Sequence, residues 1–495
     1  MMAGERTQTG ILRRVGLVLG LLAFALTVLL APPAGMPPGA WLVAGLVGWM
    51  AAWWMTEAVP LSVTAMLPFV VLPLSGIASA EETAADYYSP ILFLLLGGAF
   101  IALAIERTGL HRRLSLAILR LVGTDGGPAR LLLAFMISAG LLSMLISNTS
   151  TALIMMPMAL AVLNGGSPPS SSEAVGLQET PSSSEAVGQQ EGLFGALPMG
   201  IAFAASIGGL GTIVGSPTNA IAVGLLDTIA GVRISFAQWS LYGVPLVVLS
   251  VPLAAWIIAR VQHVSRHPFD IERARAAILS HARWSSAERR MALLVAMTFG
   301  AWVTQPLVAQ LLPHGSWSDG SIATIAALAL FLLPDGTGRT LLVWDEARAA
   351  PWSVIFMFGG GLALAGGMQA SGLSDWIGEA LLPLEHWPLI LVALTVTALV
   401  ILVTEFASNV ATATGIIPVV AALVVSLGVD PVLLALPAAL AASWGFMLPA
   451  GTGPNAIAWS TGRIRIERMV TAGALLDVAG VFLLVGVVWG IAALA

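Results

Sequence analysis

The sequence predicts an all-α polytopic membrane protein built from inverted-topology repeats, with about 11 transmembrane helices and two re-entrant helical hairpins. Three observations carry this reading. First, 58% of the residues are hydrophobic and 9% are charged, where a soluble domain carries about 25% charged residues. Apolar runs recur from Val15 to the C-terminus, and many match the ~20 residues that cross a bilayer as helix. Second, the arginines segregate to one side of the predicted membrane. Third, the two halves of the chain echo each other.

Taken in order, the spans lie at 15–31, 40–55, 59–77, 90–106, 196–226, 239–260, 291–313, 321–334, 352–370, 431–460 and 471–494. Segments 131–163 and 388–426 are read as hairpins. Arg6, Arg13 and Arg14 precede the first run, as they would in a signal peptide. That run is long, however, and Ala31-Pro32-Pro33 is a poor cleavage site, so a retained first helix is expected. With a cytoplasmic N-terminus and hairpins that return to their own side, 20 of the 21 basic residues fall inside and only Arg233 outside. All 21 are Arg. Such a bias is the positive-inside pattern. Counting either hairpin as a single crossing would flip every later loop and destroy it. The C-terminus is then extracytoplasmic, and the expected location is the cell (inner) membrane.

Three loops stand apart. The basic 260–290 loop reads as a topology anchor rather than a partner site. Residues 110–122 (LHRRLSLAILRLV) put Arg on one face and Leu/Ile on the other, as in an interfacial amphipathic helix. Residues 164–192 contain a tandem duplication, PSSSEAVGLQET followed by PSSSEAVGQQEG. That composition predicts a disordered cytoplasmic linker.

The repeat rests on three matched blocks. SPILFLLLGGAFIALAIERTGL (89–110) resembles WSVIFMFGGGLALAGGMQASGL (352–373). SNTSTALIMMP (147–157) resembles SNVATATGIIP (408–418), 261 residues later, and GSPTN (215–219) resembles GTGPN (451–455), 236 residues later. The duplicated linker accounts for nearly all of the difference between these spacings. In the predicted topology 90–106 runs inward and 352–370 runs outward, which makes the repeat inverted. Such repeats place substrate and ion sites near the midplane, at discontinuous helices.

The chemistry is expected at two pairs of motifs. Ser147-Asn148-Thr149 and Ser408-Asn409-Val410 lie at the hairpin tips. A tip leaves backbone N–H and C=O groups unpaired, and inside a membrane these need protein, water or ligand. Half-helix N-termini suit a carboxylate, whereas C-termini and loop carbonyls suit Na+. Ser, Thr and Asn add neutral donors and acceptors. Helix–helix adhesion is the other use of such residues. The second pair, Gly215–Asn219 and Gly451–Asn455, is expected to unwind spans 196–226 and 431–460 at its Gly and Pro residues, with a plain Pro kink as the alternative. The chain has no Cys, hence no disulfide or thiolate chemistry. Without Lys it has no phosphate-binding loop, which argues against an ATP-driven pump. The six His form no ligand cluster. No acid or His cluster at one membrane face suggests an enzyme, and a channel would show charge rings or carbonyl filters instead.

These paired motifs, together with WWMTEAVPLSVTAMLP (53–68) and ERTGLHRR (106–113), resemble the divalent anion/sodium symporter family, which includes Na+-coupled dicarboxylate and citrate transporters. The resemblance runs from about residue 40 to the end of the chain. It implies one Na+ held by Ser143, Ser147, Asn148 and Gly215, and another held by Thr404, Ala407, Asn409 and Gly451. It implies substrate carboxylates on Asn148, Thr149, Asn409 and Thr452. It further implies a homodimer in the lipid bilayer, with a transport domain moving like an elevator against a scaffold. Residues 110–122 and 373–382 would be the arms. No nucleic-acid partner is expected.

On that basis residues 1–130 hold scaffold helices and the first arm. Residues 131–260 form the first transport half: hairpin 131–163, linker 164–192, broken helix 196–226 and helix 239–260. Residues 261–387 hold the cytoplasmic loop, further scaffold helices and the second arm. Residues 388–495 form the second transport half, with hairpin 388–426, broken helix 431–460 and the last helix. The expected activity is secondary transport of C4 dicarboxylates such as succinate, malate or fumarate, coupled to Na+. A Na+-independent exchanger and a citrate or sulfate transporter of the same fold are the alternatives. The sequence departs from the family at Val410, where Thr is usual, and at Gly453, where Pro is common. Glu57 and Glu405 lie at apolar segments and are further candidates.

Overall fold

The computed structural model describes residues 2–122, 127–165, 190–267, 269, 283–449 and 451–494. Every regular element among them is helical, apart from an isolated bridge between Pro334 and Thr340. Several helix starts follow local sequence logic. Ser79, Ser235 and Ser285 each precede a Glu or Gln by three residues and form a reciprocal capping box with it. Seven helices are long and apolar enough to cross a membrane, among the described residues. Shorter apolar helices build the hairpins and breaks between them.

The first hairpin pairs Pro128–Ser143 with Asn148–Gly165, and the second pairs Leu389–Phe406 with Asn409–Leu427. Both turn at the expected triplets. The broken helices are Leu193–Gly209 followed by Pro217–Ala230, and Pro431–Ala441 followed by Gly453–Ser460. Here the structure corrects the sequence reading. Pro217 and Pro454 do not unwind their helices; they occupy the first turn of the helix that restarts. That position suits Pro, because its missing N–H would have no intrahelical partner. The extended stretches lie upstream, between residues 209 and 217 and between 441 and 453. The predicted span 59–77 is also divided, into Leu61–Thr64 and Leu67–Leu74.

Contacts repeat between the halves. In each, the first hairpin arm packs on the first half of its own broken helix. The second arm packs across, on the restarted half of the other repeat: Asn148–Gly165 on Gly453–Ser460, and Asn409–Leu427 on Pro217–Ala230. The two hairpins and two broken helices therefore interlock, with Phe236–Val261 and Ile466–Ala492 against them. Without a hydrophobic drive between lipid-solvated helices, close backbone approach holds such a body together. At Gly208 a methyl group would collide with the Gly140 backbone. At one end of this body Glu191 accepts from Arg465 and Arg468, both at 3.3 Å, and lies 3.5 Å from His267. Gly192 N–H donates to the Gln262 carbonyl. The last residues of the duplicated segment are thus a structured clamp, contrary to the linker expected over 164–192. Residues 166–189 lie outside the described residues, as do 270–282 of the basic loop.

The remaining helices form a second layer. Met2–Leu29 packs on Pro38–Thr56, and Pro90–Thr108 packs on Asp319–Leu332. Two amphipathic helices, Leu110–Val122 and Leu373–Leu381, follow the repeated Gly-rich helices at the positions expected for arms. Arg107 ties this layer at its Arg-rich end. Its guanidinium donates to the Thr340 and Leu341 carbonyls and to Asp335 at 2.6 Å, and pairs with Glu346 at 3.2 Å. The Thr337 hydroxyl and N–H, then Arg107, hold the Asp335 carboxyl well below the usual carboxylate range. A depressed carboxylate stabilises the fold above its unfolded value of about 3.9, and the gain fades as the pH falls below it. Asp335→Asn is therefore expected to lower the melting temperature at neutral pH. The gap from the unsubstituted protein should close in acid, as a melting series against pH would show.

Candidate functional site

The four motifs that the sequence singles out meet at one cavity of about 440 Å³. Its wall includes Ser147–Ser150 and Ser408–Val410 from the tips. It also includes Ser216–Thr218 and Gly451–Pro454 from the breaks. Leu95–Glu106 and Ala349–Ile355 contribute the rest from the Gly-rich helices and the turn before the second of them. Residues more than 230 positions apart in sequence thus share one lining.

Helix polarity organises this space. Four helices begin at it: Asn148–Gly165, Pro217–Ala230, Asn409–Leu427 and Gly453–Ser460. Ser147, Ser408 and Thr452 cap three of them by accepting from Ser150, Ala411 and Asn455 N–H. Each N-terminus is equivalent to roughly half a positive charge. Four together approach the two charges of a dicarboxylate. The lining holds no Arg, Lys or His, and its one ionisable side chain is Glu106. An anion here would meet N–H groups and hydroxyls, not a cationic side chain.

Behind each tip lies a set of converging oxygens where helices end. In the first half, Ser143 Oγ donates to the Ala205 carbonyl at 2.7 Å and lies 2.8 Å from the Asn148 side-chain amide. Asn148 also faces the Gly215 carbonyl. With its amide turned over, the nitrogen would donate to Gly215 O at 3.2 Å and Ala205 O at 3.2 Å. In that orientation the amide also donates to Ser143 Oγ at 2.8 Å, so Asn148 ties the Ser143, Ala205 and Gly215 oxygens together. In the second half, Thr404 Oγ1 repeats the pattern. It donates to the Ala442 carbonyl at 2.8 Å and to Asn409 Oδ1 at 3.1 Å. Gly451 lies beside the Thr404 and Glu405 carbonyls. Three more pairs of buried side-chain oxygens stand at equivalent places without a protein donor: Thr151 and Thr412, Ser206 and Ser443, and Asn219 and Asn455. Neutral, hard oxygens in this arrangement fit Na+.

The expected residues divide accordingly. Asn148, Thr149, Asn409 and Thr452 all line the cavity. Ser143, Gly215, Thr404 and Gly451 surround the oxygen sets. Ser147 Oγ is committed as a cap and bonds Ser150 Oγ at 3.0 Å. Ala407 is buried where the second hairpin turns. The sequence reading missed the carbonyls of Ala205 and Ala442, because side-chain identity says nothing about backbone oxygens. Gly453, where the family commonly has Pro, has a packing reason: a methyl there would lie 2.5 Å from Thr149 Oγ1. Val410 puts its side chain on the lining where Thr149 stands in the other half.

The two acidic candidates resolve differently. Glu57 is exposed at the end of Pro38–Thr56, in a left-handed cap with φ +46°. Glu405 is 1% exposed and does not line the cavity. Its carboxylate accepts the backbone N–H groups of Phe446, Met447 (3.0 Å) and Leu448 (3.1 Å). It fastens the extended stretch that leads to Gly451. Asp477 is buried beside it, within hydrogen-bond reach of the Glu405 carboxyl, and no N–H or hydroxyl donates to its oxygens. Met144 occupies the place of Glu405 in the first repeat.

The chain matches a family of known proteins over residues 13–494, described as the sodium:sulfate symporter transmembrane region. It is 37% identical over 486 residues to the sodium-dependent dicarboxylate transporter SdcS of Staphylococcus saprophyticus, covering 96% of this chain and 90% of that protein. It is 36% identical over 484 residues to SdcS of Staphylococcus aureus strain USA300, with the same coverage. Among solved structures, the YdaH transporter of Alcanivorax borkumensis shares the fold. The TM-score is 0.55 at 14% identity, over 82% of this chain and 86% of that one.

Removing the Glu405 carboxylate would leave three N–H groups without their acceptor, at about 1–3 kcal/mol for each that stays buried and unpaired. Glu405→Ala is expected to lower the melting temperature by several degrees. Met144→Ala, at the equivalent place, removes only apolar packing. Equal melting temperatures for Glu405→Ala and the unsubstituted protein would reject the bracing role.

Proposed function

The chain belongs to the sodium:sulfate symporter family, whose members are membrane transporters and not enzymes, and from that premise we propose that it carries C4 dicarboxylates such as succinate, malate and fumarate by symport with Na+. The observation that carries the proposal is the pairing of polarities at one cavity. Four helix N-termini face the space for the anion, and the oxygen sets behind the tips suit cations. A dianion in a lining with no cationic side chain needs nearby positive charge, and bound Na+ supplies it. Coupling then follows from binding, because each ion improves the site for the other. The relatives named for sodium-dependent dicarboxylate transport support the same choice. A sulfate would leave much of a cavity of about 440 Å³ unfilled.

In this reading Asn148, Thr149, Asn409 and Thr452 bind the carboxylates. One Na+ takes Ser143, Asn148 and the Gly215 carbonyl, with Ser147 on the adjoining turn. The other takes Thr404, Ala407, Asn409 and the Gly451 region. The protein is a homodimer in the inner membrane, its N-terminus cytoplasmic and its C-terminus outside, as the Arg distribution favours. Glu106, Ala349 and Pro351, at the Arg-rich ends of their segments, are part of the lining, which supports reading this conformation as facing the cytoplasm.

An elevator motion is favoured by a difference between the halves. Contacts inside the interlocked body are matched pair for pair, but contacts of the two arms with it are not. Leu110–Val122 packs on the first arm of its hairpin, whereas Leu373–Leu381 packs on the second arm of its own. Ser115 Oγ reaches Met155 Sδ at 3.3 Å. Its counterpart Gly378 lies against Ala422 and Ser426, positions equivalent to 161 and 165. A shift of six residues along a helix is about 9 Å. Each half thus holds one end of a sliding movement, and exchanging their contacts gives the opposite-facing state.

Uptake of labelled succinate into proteoliposomes, with and without a Na+ gradient, tests the proposal. Na+-dependent, saturable uptake is expected. Uptake that ignores Na+ but needs internal dicarboxylate would replace symport with exchange. Asn148→Ala should abolish uptake while keeping a cooperative melt. Ser143→Ala should raise the Na+ concentration for half-maximal uptake about tenfold, for one lost ligand worth 1–2 kcal/mol. Normal transport by Asn148→Ala would reject the site assignment.

A further inference from the structure

A second cavity, of about 480 Å³, shares no lining residue with the substrate site and lies between the first arm and the first hairpin. His111, Arg112 and Leu116 of the arm form one side. Phe135 and the apolar surface from Leu153 to Val162 form the other. The wall thus combines mostly apolar side chains with two basic ones, His111 and the exposed Arg112. Arg112 is exposed, and no acidic side chain among the described residues pairs with it. Its neighbour Arg113, by contrast, is bound to Glu288 at 2.9 Å and stacks on Trp284. The amphipathic arm follows the Arg-rich end of Pro90–Thr108, and in the proposed topology that is the level of lipid headgroups.

The corresponding place in the second half is closed. There Gly378 of the second arm lies against Ala422 and Ser426. Ala422 is the counterpart of Ala161, and Ala161 lines the open cavity. The cavity is therefore an arm–hairpin contact that one half has made and the other has not. Whatever fills it holds Ser115 of the first arm near Met155 and away from Ala161.

We propose that this cavity binds an anionic phospholipid, its phosphate on Arg112 and one acyl chain along Leu153–Val162, and that the bound lipid wedges the arm and favours the present conformation. The ligand follows from the two chemistries of the wall. An acyl chain matches the apolar side chains, and a phosphate matches an unpaired guanidinium at headgroup depth. A zwitterionic lipid offers the same chain, but its phosphate charge is offset by its own amine. The wedging effect rests on the sliding movement described above; the binding does not.

Two measurements separate these parts. The first compares thermal melts of the purified full-length protein in nanodiscs of phosphatidylcholine with and without phosphatidylglycerol. Phosphatidylglycerol should raise the melting temperature by several degrees. Arg112→Gln should lose most of that rise, and Arg120→Gln on the same helix should keep it. Ala161→Phe, which fills the chamber, should lose it as well. Equal melts in both lipids, or a full response by Arg112→Gln, would overturn the lipid site. The second uses the absence of native Cys. The pair Ser115→Cys and Ala161→Cys should cross-link when the arm slides, at least threefold more slowly with phosphatidylglycerol. If the melts respond but no cross-link forms in any lipid, the sliding reading fails and the site stands. If the cross-link forms at one rate in all lipids, the wedging role is overturned.

Discussion

The interior of a membrane leaves no backbone polar group to water, and this constraint shapes the protein more than any single contact. Each N–H and C=O freed at a hairpin tip or helix break needs a partner from the protein or a ligand. The fold breaks its helices at four places and brings all four together. Helices that arrive there end in carbonyls, beside Ser143, Ala205, Thr404 and Ala442. Helices that leave begin in N–H groups, capped by Ser147, Ser408 and Thr452. Cation and anion surfaces are consequences of chain direction and need no buried charged side chain. That economy suits a membrane interior, where a buried fixed charge is costly.

The two halves share this frame without being copies. Thr149 faces Val410 across the repeat, so one side of the cavity is more polar than the other. Glu405 braces the second break, which is the longer extended stretch, while Met144 packs apolar atoms at the first. A longer loop exposes more N–H groups, and the carboxylate accepts three of them. The asymmetry of sequence therefore follows an asymmetry of backbone.

Stability is divided between two kinds of interaction. Within the membrane the helices approach through small residues, as at Gly140 and Gly208. Outside it, ionic ties fix the ends. Arg107 binds its own layer to the 335–346 turn, and Glu191 joins the ends of the interlocked body. Neither network crosses between the two layers. The body and its surroundings are each fastened internally by ionic ties, and the boundary between them is bridged by neutral or single-acid hydrogen bonds, such as Phe236 N–H to Asp319 at 2.7 Å and Gln369 to the Ile229 carbonyl at 3.0 Å.

Much of this was legible in the sequence. Hydrophobic length and the Arg distribution gave the spans and hairpins, because membrane crossing depends on local composition and on charge at helix ends. The paired triplets gave the tips, because Ser and Asn cap helices in any setting. Other features needed the tertiary structure. Pro217 and Pro454 looked like helix breakers, yet a proline only excludes the N–H that would precede it, and whether it ends or starts a helix depends on the chain upstream. The carbonyls of Ala205 and Ala442 carry no sequence signature at all. Glu191 read as part of a disordered linker until Arg465 and Arg468 were brought beside it. By itself the sequence determined which segments are apolar enough to lie in the membrane and which motifs mark the hairpin tips, since those are local balances of solvation and hydrogen bonding. Only the fold decided that four distant breaks share one cavity and that one arm has closed while the other has not, since those depend on packing between halves more than 200 residues apart.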